Sequence, residues 1–162
     1  MFDIEKSKEY ISRHRQETIE MLTRFLATDV ILFWSDERTL FLKQEKQWGD
    51  ILNLLREKYA FDFKYTTSLR IPDNDADKEK FSLLLNNMSD IELTVCFLAS
   101  TNMKSVLLGL LLAQKFLSAD EAFDAAFLEE NYQNIYWGED SQAKQKRDDI
   151  HKELLLLERA VK

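Results

Sequence analysis

Apolar residues recur at i, i+3 and i+4 along most of the chain, and this period predicts helices almost from end to end. A first helix is expected over 3–27, with Ile11, Arg15, Thr18, Met21, Leu22, Phe25 and Leu26 at this spacing and a heavily charged first half that projects into solvent or packs on another surface. Val30–Trp34 is β-rich, apolar and too short for a helix, so it reads as a short buried strand. Helical spacing returns over 40–59 through Phe41, Trp48, Ile51, Leu52, Leu55 and Tyr59, with Gly49 a candidate bend. Phe61–Thr66 alternates with period two and is expected to pair with Val30–Trp34. Further helices are expected over 76–87, after a cap at Ser89 or Asp90, and over 103–117. The last of these is apolar almost all round, hence central, and Gly109 within it should admit a close neighbour.

The end of the chain carries the sharpest local signals. Ser118-Ala119-Asp120-Glu121 is a capping box that starts a helix expected to run to Trp137. Gly138 stands where a helix terminus needs positive φ, and Asp140 or Ser141 can cap a final helix to the C-terminus. In that helix Ile150, Leu154, Leu157 and Val161 point inward, and Lys144, Lys146, Arg147, Lys152 and Arg159 face out or snorkel. The expected fold is mainly α. It is one multi-helix domain over 1–162 with a short two-strand β element, its final two helices joined at Trp137-Gly138.

On a wheel of roughly 100° per residue, Phe123, Phe127, Glu130, Asn134 and Trp137 share one line. Ala125, Leu128, Tyr132, Ile135 and Tyr136 lie opposite. A helix apolar on two sides is sandwiched in a core or offers one side to a partner. Glu130 sits among the aromatic rings, and a buried unpaired carboxylate costs several kcal/mol. It is therefore either a buried acid paired with an arginine or backbone donors, or an exposed acid at the centre of a docking surface. The candidate partner-binding set is Phe127, Glu130, Gln133, Asn134 and Trp137.

Composition narrows the function. Three glycines and one proline in 162 residues favour helix over turn-rich β structure. A net charge of -7 argues against nucleic acid or an anionic membrane as partner. No run is long enough to span a membrane, and MFDIEKSKEY lacks the form of a signal peptide. The single cysteine, Cys96, lies in an apolar run and reads as a buried, inert thiol. The acids between Pro72 and Asp77 do not follow the EF-hand pattern and read as a solvated loop and cap. His14 and His151 read as surface residues. Phosphate-cradling loops, zinc motifs and nucleophile elbows do not occur. The adjacent pairs Glu129-Glu130 and Asp148-Asp149 diverge on a helix. The expectation is a non-enzyme with no metal and no cofactor; a small hydrolase would require carboxylates gathered in a cleft.

The segment FLEENYQNIYWGEDSQA resembles the signature L-[DE]-E-x-[FY]-Q-x-x-x-W-G-x-x-x-x-A of the ATP-twelve family. Weaker pieces follow in order along the chain. Leu26–Asp29 with Val30–Trp34 resembles F-L-x-T-D-T-[IL]-x-Y-R, with Phe33-Trp34 replacing Tyr-Arg. Gln44 with Trp48 resembles Q-x-x-x-W-D-P, Lys104-Ser105 with 106–113 resembles [GK]-S-x-x-L-x-L-x-L, and 119–123 resembles A-x-E-A-W. The resemblance implies an ATP-independent assembly chaperone. It would bind the unassembled α subunit of the ATP synthase catalytic head, in a mitochondrial matrix or an alphaproteobacterial cytoplasm. It also implies an N-terminal β-rich domain, for which this sequence has no counterpart. A second expectation is therefore a helical interaction module, or a subunit of a larger complex, without chaperone activity.

Overall fold

The computed structural model describes residues 3–162; the first two residues of the opening MFDIEKSKEY stretch lie outside it. Among the described residues nine α-helices follow one another: α1 (Ile4–Arg13), α2 (Arg15–Phe25), α3 (Arg38–Tyr59), α4 (Asp75–Asn86), α5 (Asp90–Met103), α6 (Val106–Ala113), α7 (Ala119–Ala126), α8 (Leu128–Trp137) and α9 (Ser141–Ala160). All eight residues of α6 are buried. Helix α5 packs along it, and α2, α7 and α9 pack around the pair.

The expected first helix is two. It breaks at His14 (φ -118°, ψ 34°), so that α1 lies on α5 while α2 lies on α4. Arg15 begins α2 and pins the break. Its guanidinium donates to Asp90 at 2.9 Å, to the Asn86 carbonyl at 3.0 Å and to the Met88 carbonyl. These are carbonyls freed at the C-terminal end of α4, which an arginine fork can satisfy. By contrast α3 runs unbroken through Gly49.

The expected two-strand β element does not form. Val30–Leu32 is a 3-10 turn, and the only pairing among the described residues is a single parallel bridge between Phe33 and Thr66. Thr66 N–H donates to the Leu32 carbonyl at 2.9 Å and Trp34 N–H to the Thr66 carbonyl at 2.8 Å. The alternation in 61–66 is nonetheless expressed, because Phe61 and Phe63 are buried while Asp62 and Lys64 are exposed. The N–H groups of Asp62 and Lys64 are taken by the side chains of Asp77 and Asn74, both at 2.7 Å, which leaves no ladder to build.

Asp29 replaces that ladder with a knot. It is 1% exposed, and its carboxylate accepts from Ile31 N–H at 3.1 Å and, across the fold, from Leu107 N–H at 2.9 Å. It thus caps the 3-10 turn and the first turn of α6 together. Burial outweighs these donors and pushes its pKa from 3.8 up to about 6. A folded-state pKa above the unfolded value means that the native state binds the extra proton between those limits. Stability from this group is therefore present at low pH and lost as pH rises through about 6. Unfolding free energy should increase by about 1 kcal/mol between pH 7 and pH 5. Glu37, Glu92 and Asp148 are all shifted downward from the ordinary carboxylate range, away from this window. Chemical denaturation at the two pH values should show the increment in the wild type and not in Asp29→Asn; an equal increment in both would assign it elsewhere.

The close-packing expectation at Gly109 holds. A Cβ built there would lie 2.1 Å from Ser100 Oγ and 2.7 Å from the Cys96 carbonyl oxygen. Cys96 itself is buried, and burial pushes its thiol up to about 12.

Candidate functional site

The Ser118 capping box forms as expected, with Glu121 N–H to Ser118 Oγ at 3.1 Å and Ser118 N–H to Glu121 at 2.9 Å. The helix it starts does not reach Trp137. It ends at Ala126, and Phe127 (φ -106°, ψ 17°) separates α7 from α8. The continuous wheel through Phe123 and Trp137 is thereby broken, although the Phe123 and Phe127 rings still meet at 4.9 Å across the joint. Gly138 closes α8 at φ 82°, and Asp140 caps α9 by accepting from Ala143 N–H at 2.9 Å. Both termini match the sequence expectation.

Helix α8 has no fully buried residue. At its C-terminal end Ile135, Tyr136 and Trp137 are exposed in succession, Trp137 by 86%. Tyr132, one turn earlier, donates its hydroxyl to Glu37 at 2.8 Å and holds α8 to the start of α3. Its acceptor is well placed, since the Glu37 carboxylate also caps α3 through Thr39 and Leu40 N–H groups, both at 3.0 Å.

Glu130 has found the arginine that one of its two readings required. Arg147 Nη1 donates to it at 2.7 Å, and Arg147 Nη2 lies 3.3 Å from Glu139. The sequence has Arg147 facing out or snorkelling with its basic neighbours; in the structure its side chain is 7% exposed, whereas that of Glu130 is 39% exposed. The buried partner is the cation. A desolvated guanidinium requires counter-charge, and two carboxylates from opposite sides of the Gly138 break supply it. The carboxylate itself stays at the surface. The sequence does hold a signal for this pairing: Glu130 and Arg147 stand about equally far on either side of Gly138.

Phe127, Glu130 and Gln133 line one groove of about 620 Å³, closed on its other sides by Val30, Lys104 and Lys146. Asn134 and Trp137 are not part of its lining. Asn134 is half-buried and its Nδ2 has no hydrogen-bond partner among the described residues, while Trp137, the last residue of α8, is exposed. The five expected residues thus divide into a groove wall of three, an orphaned amide and a free indole. Elsewhere, His151 pairs with Asp120 at 2.6 Å and its ring lies 4.7 Å from Phe123, which ties α9 to α7. Among the described residues, no helix is long and apolar enough to cross a membrane.

No family model matches the chain. Its fold does have solved counterparts. The structure is similar to Atp12 from Paracoccus denitrificans with a TM-score of 0.88 at 18% identity, covering 96% of this chain and 67% of that one. A point mutant of the same Paracoccus protein matches equally well. Atu1473 of Agrobacterium tumefaciens, a candidate chaperone, matches with a TM-score of 0.80 at 22% identity, covering 94% of this chain and 59% of that one. The chain has an Atp12-like, mainly α fold that spans about two thirds of the Paracoccus protein.

Proposed function

We propose that this protein is an ATP-independent assembly chaperone that captures the unassembled α subunit of the ATP synthase catalytic head. The observation that carries the reading is the exposed Ile135-Tyr136-Trp137 end of α8 beside the Phe127–Glu130–Gln133 groove, on a fold shared with Atp12. Exposed aromatic residues rimmed by polar groups are what a protein partner buries. An unassembled subunit exposes apolar surface that aggregates until its proper neighbour covers it. A holder of such surface needs an apolar face with polar anchors.

In this role Trp137 is the anchor and Glu130 the groove wall. Trp137→Ala should weaken capture of purified α subunit about tenfold or more, as truncation of an interface tryptophan does. Its melting temperature should not change, because the indole packs on little of its own chain. Glu130→Ala should lower both capture and stability, since it removes one counter-charge from buried Arg147. The direct test is light scattering of α subunit diluted from denaturant, with and without the protein and without ATP. Suppression by the wild type that persists undiminished in Trp137→Ala would remove the docking role from α8. Failure of the wild type to suppress scattering would remove the chaperone reading itself.

A further inference from the structure

A second depression, of about 430 Å³, adjoins the groove. Phe25, Thr28 and Val106 line it, and Thr101 and Lys104 line both. The two meet at Thr101 and Lys104, at the C-terminal end of α5, and make a trough with Phe25 in one half and Phe127 in the other. Its lining is mixed in charge, with Lys104, Lys146 and Arg147 against Glu129 and Glu130.

The unpaired charge in it runs against the rest of the molecule. The chain carries -7 overall, yet Lys104 and Lys146 face the trough and neither forms an ion pair among the described residues. The third trough cation, Arg147, is already neutralised by Glu130 and Glu139, and Glu129 is the one lining carboxylate without an ion pair among the described residues, which leaves two lysines against one glutamate. The backbone at Lys104 is a separate observation. It holds φ 56°, ψ 32° at the C-cap of α5, a left-handed conformation that glycine adopts at least cost. Its N–H donates to the Ser100 carbonyl, and its carbonyl accepts from Val30 N–H at 3.1 Å. Ala60 and Lys115 adopt the same left-handed backbone, so what sets Lys104 apart is its place in the lining of both depressions with an ammonium that no carboxylate of the described residues pairs.

We infer that the trough takes an extended segment of the client in which a carboxylate, set between two apolar side chains, pairs with Lys104 and Lys146 while the apolar side chains settle toward Phe25 and Phe127. The inference deepens the chaperone reading and rests on it for the identity of the client. Electrostatic complementarity of this kind sets register and partner choice and weakens with salt.

The test measures affinity of purified α subunit for wild type, Lys104→Gly and Lys104→Asn at low and high salt, together with melting temperature. Glycine relieves the left-handed strain and asparagine tolerates it, so both variants should melt at or above the wild-type temperature. Both should bind about tenfold more weakly at low salt, the loss of one charge-assisted contact, and should show less salt dependence than the wild type. Wild-type affinity and wild-type salt dependence in both variants would overturn the trough while leaving the chaperone reading standing. A wild type that does not bind the α subunit at all would overturn both.

Discussion

Trp48→Ala should cost about 3–5 kcal/mol of unfolding free energy. Trp48 is 0% exposed, and its indole N–H donates to the Ala125 carbonyl at 2.8 Å. That carbonyl lies at the end of α7, just before the Phe127 joint. One side chain thus fills the space between α3 and α7 and satisfies a buried acceptor at a helix terminus. Truncation leaves a large cavity and takes the indole donor from the Ala125 carbonyl, and the two costs add. Trp48→Phe keeps most of the volume and loses the donor, so its cost should fall between wild type and alanine. Urea denaturation followed by helical circular dichroism measures both. A loss below about 1 kcal/mol for Trp48→Ala would mean that the site collapses around the gap, and that the indole is not what joins the two helices. The same variant should displace the start of α8, since the chain passes from Ala125 to Leu128 in three steps.

Gly109→Ala should be nearly as damaging, at about 3 kcal/mol, although it adds a single methyl group. Of the two short distances, the one to Ser100 Oγ can be relieved by rotating a hydroxyl. The 2.7 Å approach to the Cys96 carbonyl oxygen cannot, because that atom belongs to the backbone of α5. Relief requires α5 and α6 to separate, and every residue of α6 is buried against its surroundings. Interiors packed to crystal-like density transmit such a shift rather than absorb it. Ser100→Ala combined with Gly109→Ala should recover only part of the loss. Gly49→Ala is the internal control: its new Cβ meets only Trp34, at 3.9 Å, and it sits mid-helix, so stability should rise by about 0.5–1 kcal/mol. Equal harmlessness of the two substitutions would overturn the close α5–α6 approach at Gly109.

The expectations that succeeded rest on residues whose chemistry acts within one helical turn. The Ser118 box, the Asp140 cap and the positive φ at Gly138 involve partners no more than four residues apart, so the local sequence contains the whole interaction. The all-apolar run through 106–113 likewise tells its position, because no polar face remains to turn toward water. Boundaries failed where a distant contact competes with helical propensity. Nothing within 3–27 announces the break at His14; it follows from Arg15 reaching carbonyls some seventy residues away. The split at Phe127 has no Gly or Pro to mark it.

The candidate site shows the same division. Phe127, Glu130 and Gln133 come to one groove because they follow one another at three-residue intervals from the N-cap of α8, a spacing visible in the sequence. Their surroundings were not legible there. Lys104 and Val30 reach the groove from elements far away in the chain, and Arg147 turned inward from a helix whose other cations face water. The alternation in 61–66 correctly buried two phenylalanines but misled about pairing, since Asp77 and Asn74 took the donors that a strand would have offered.

By itself the sequence determined a mainly helical chain, its apolar centre in 106–113, the caps of its last helices and an aromatic run before Gly138. All of these are consequences of period and of short-range hydrogen bonding, which neighbours in the chain settle among themselves. Only the tertiary structure decided that Glu130 meets a buried arginine, that two depressions join at Lys104, and that Asp29 caps a helix across the fold. Each depends on where distant backbone donors and charges come to rest, and desolvation then sets the strength of the contact.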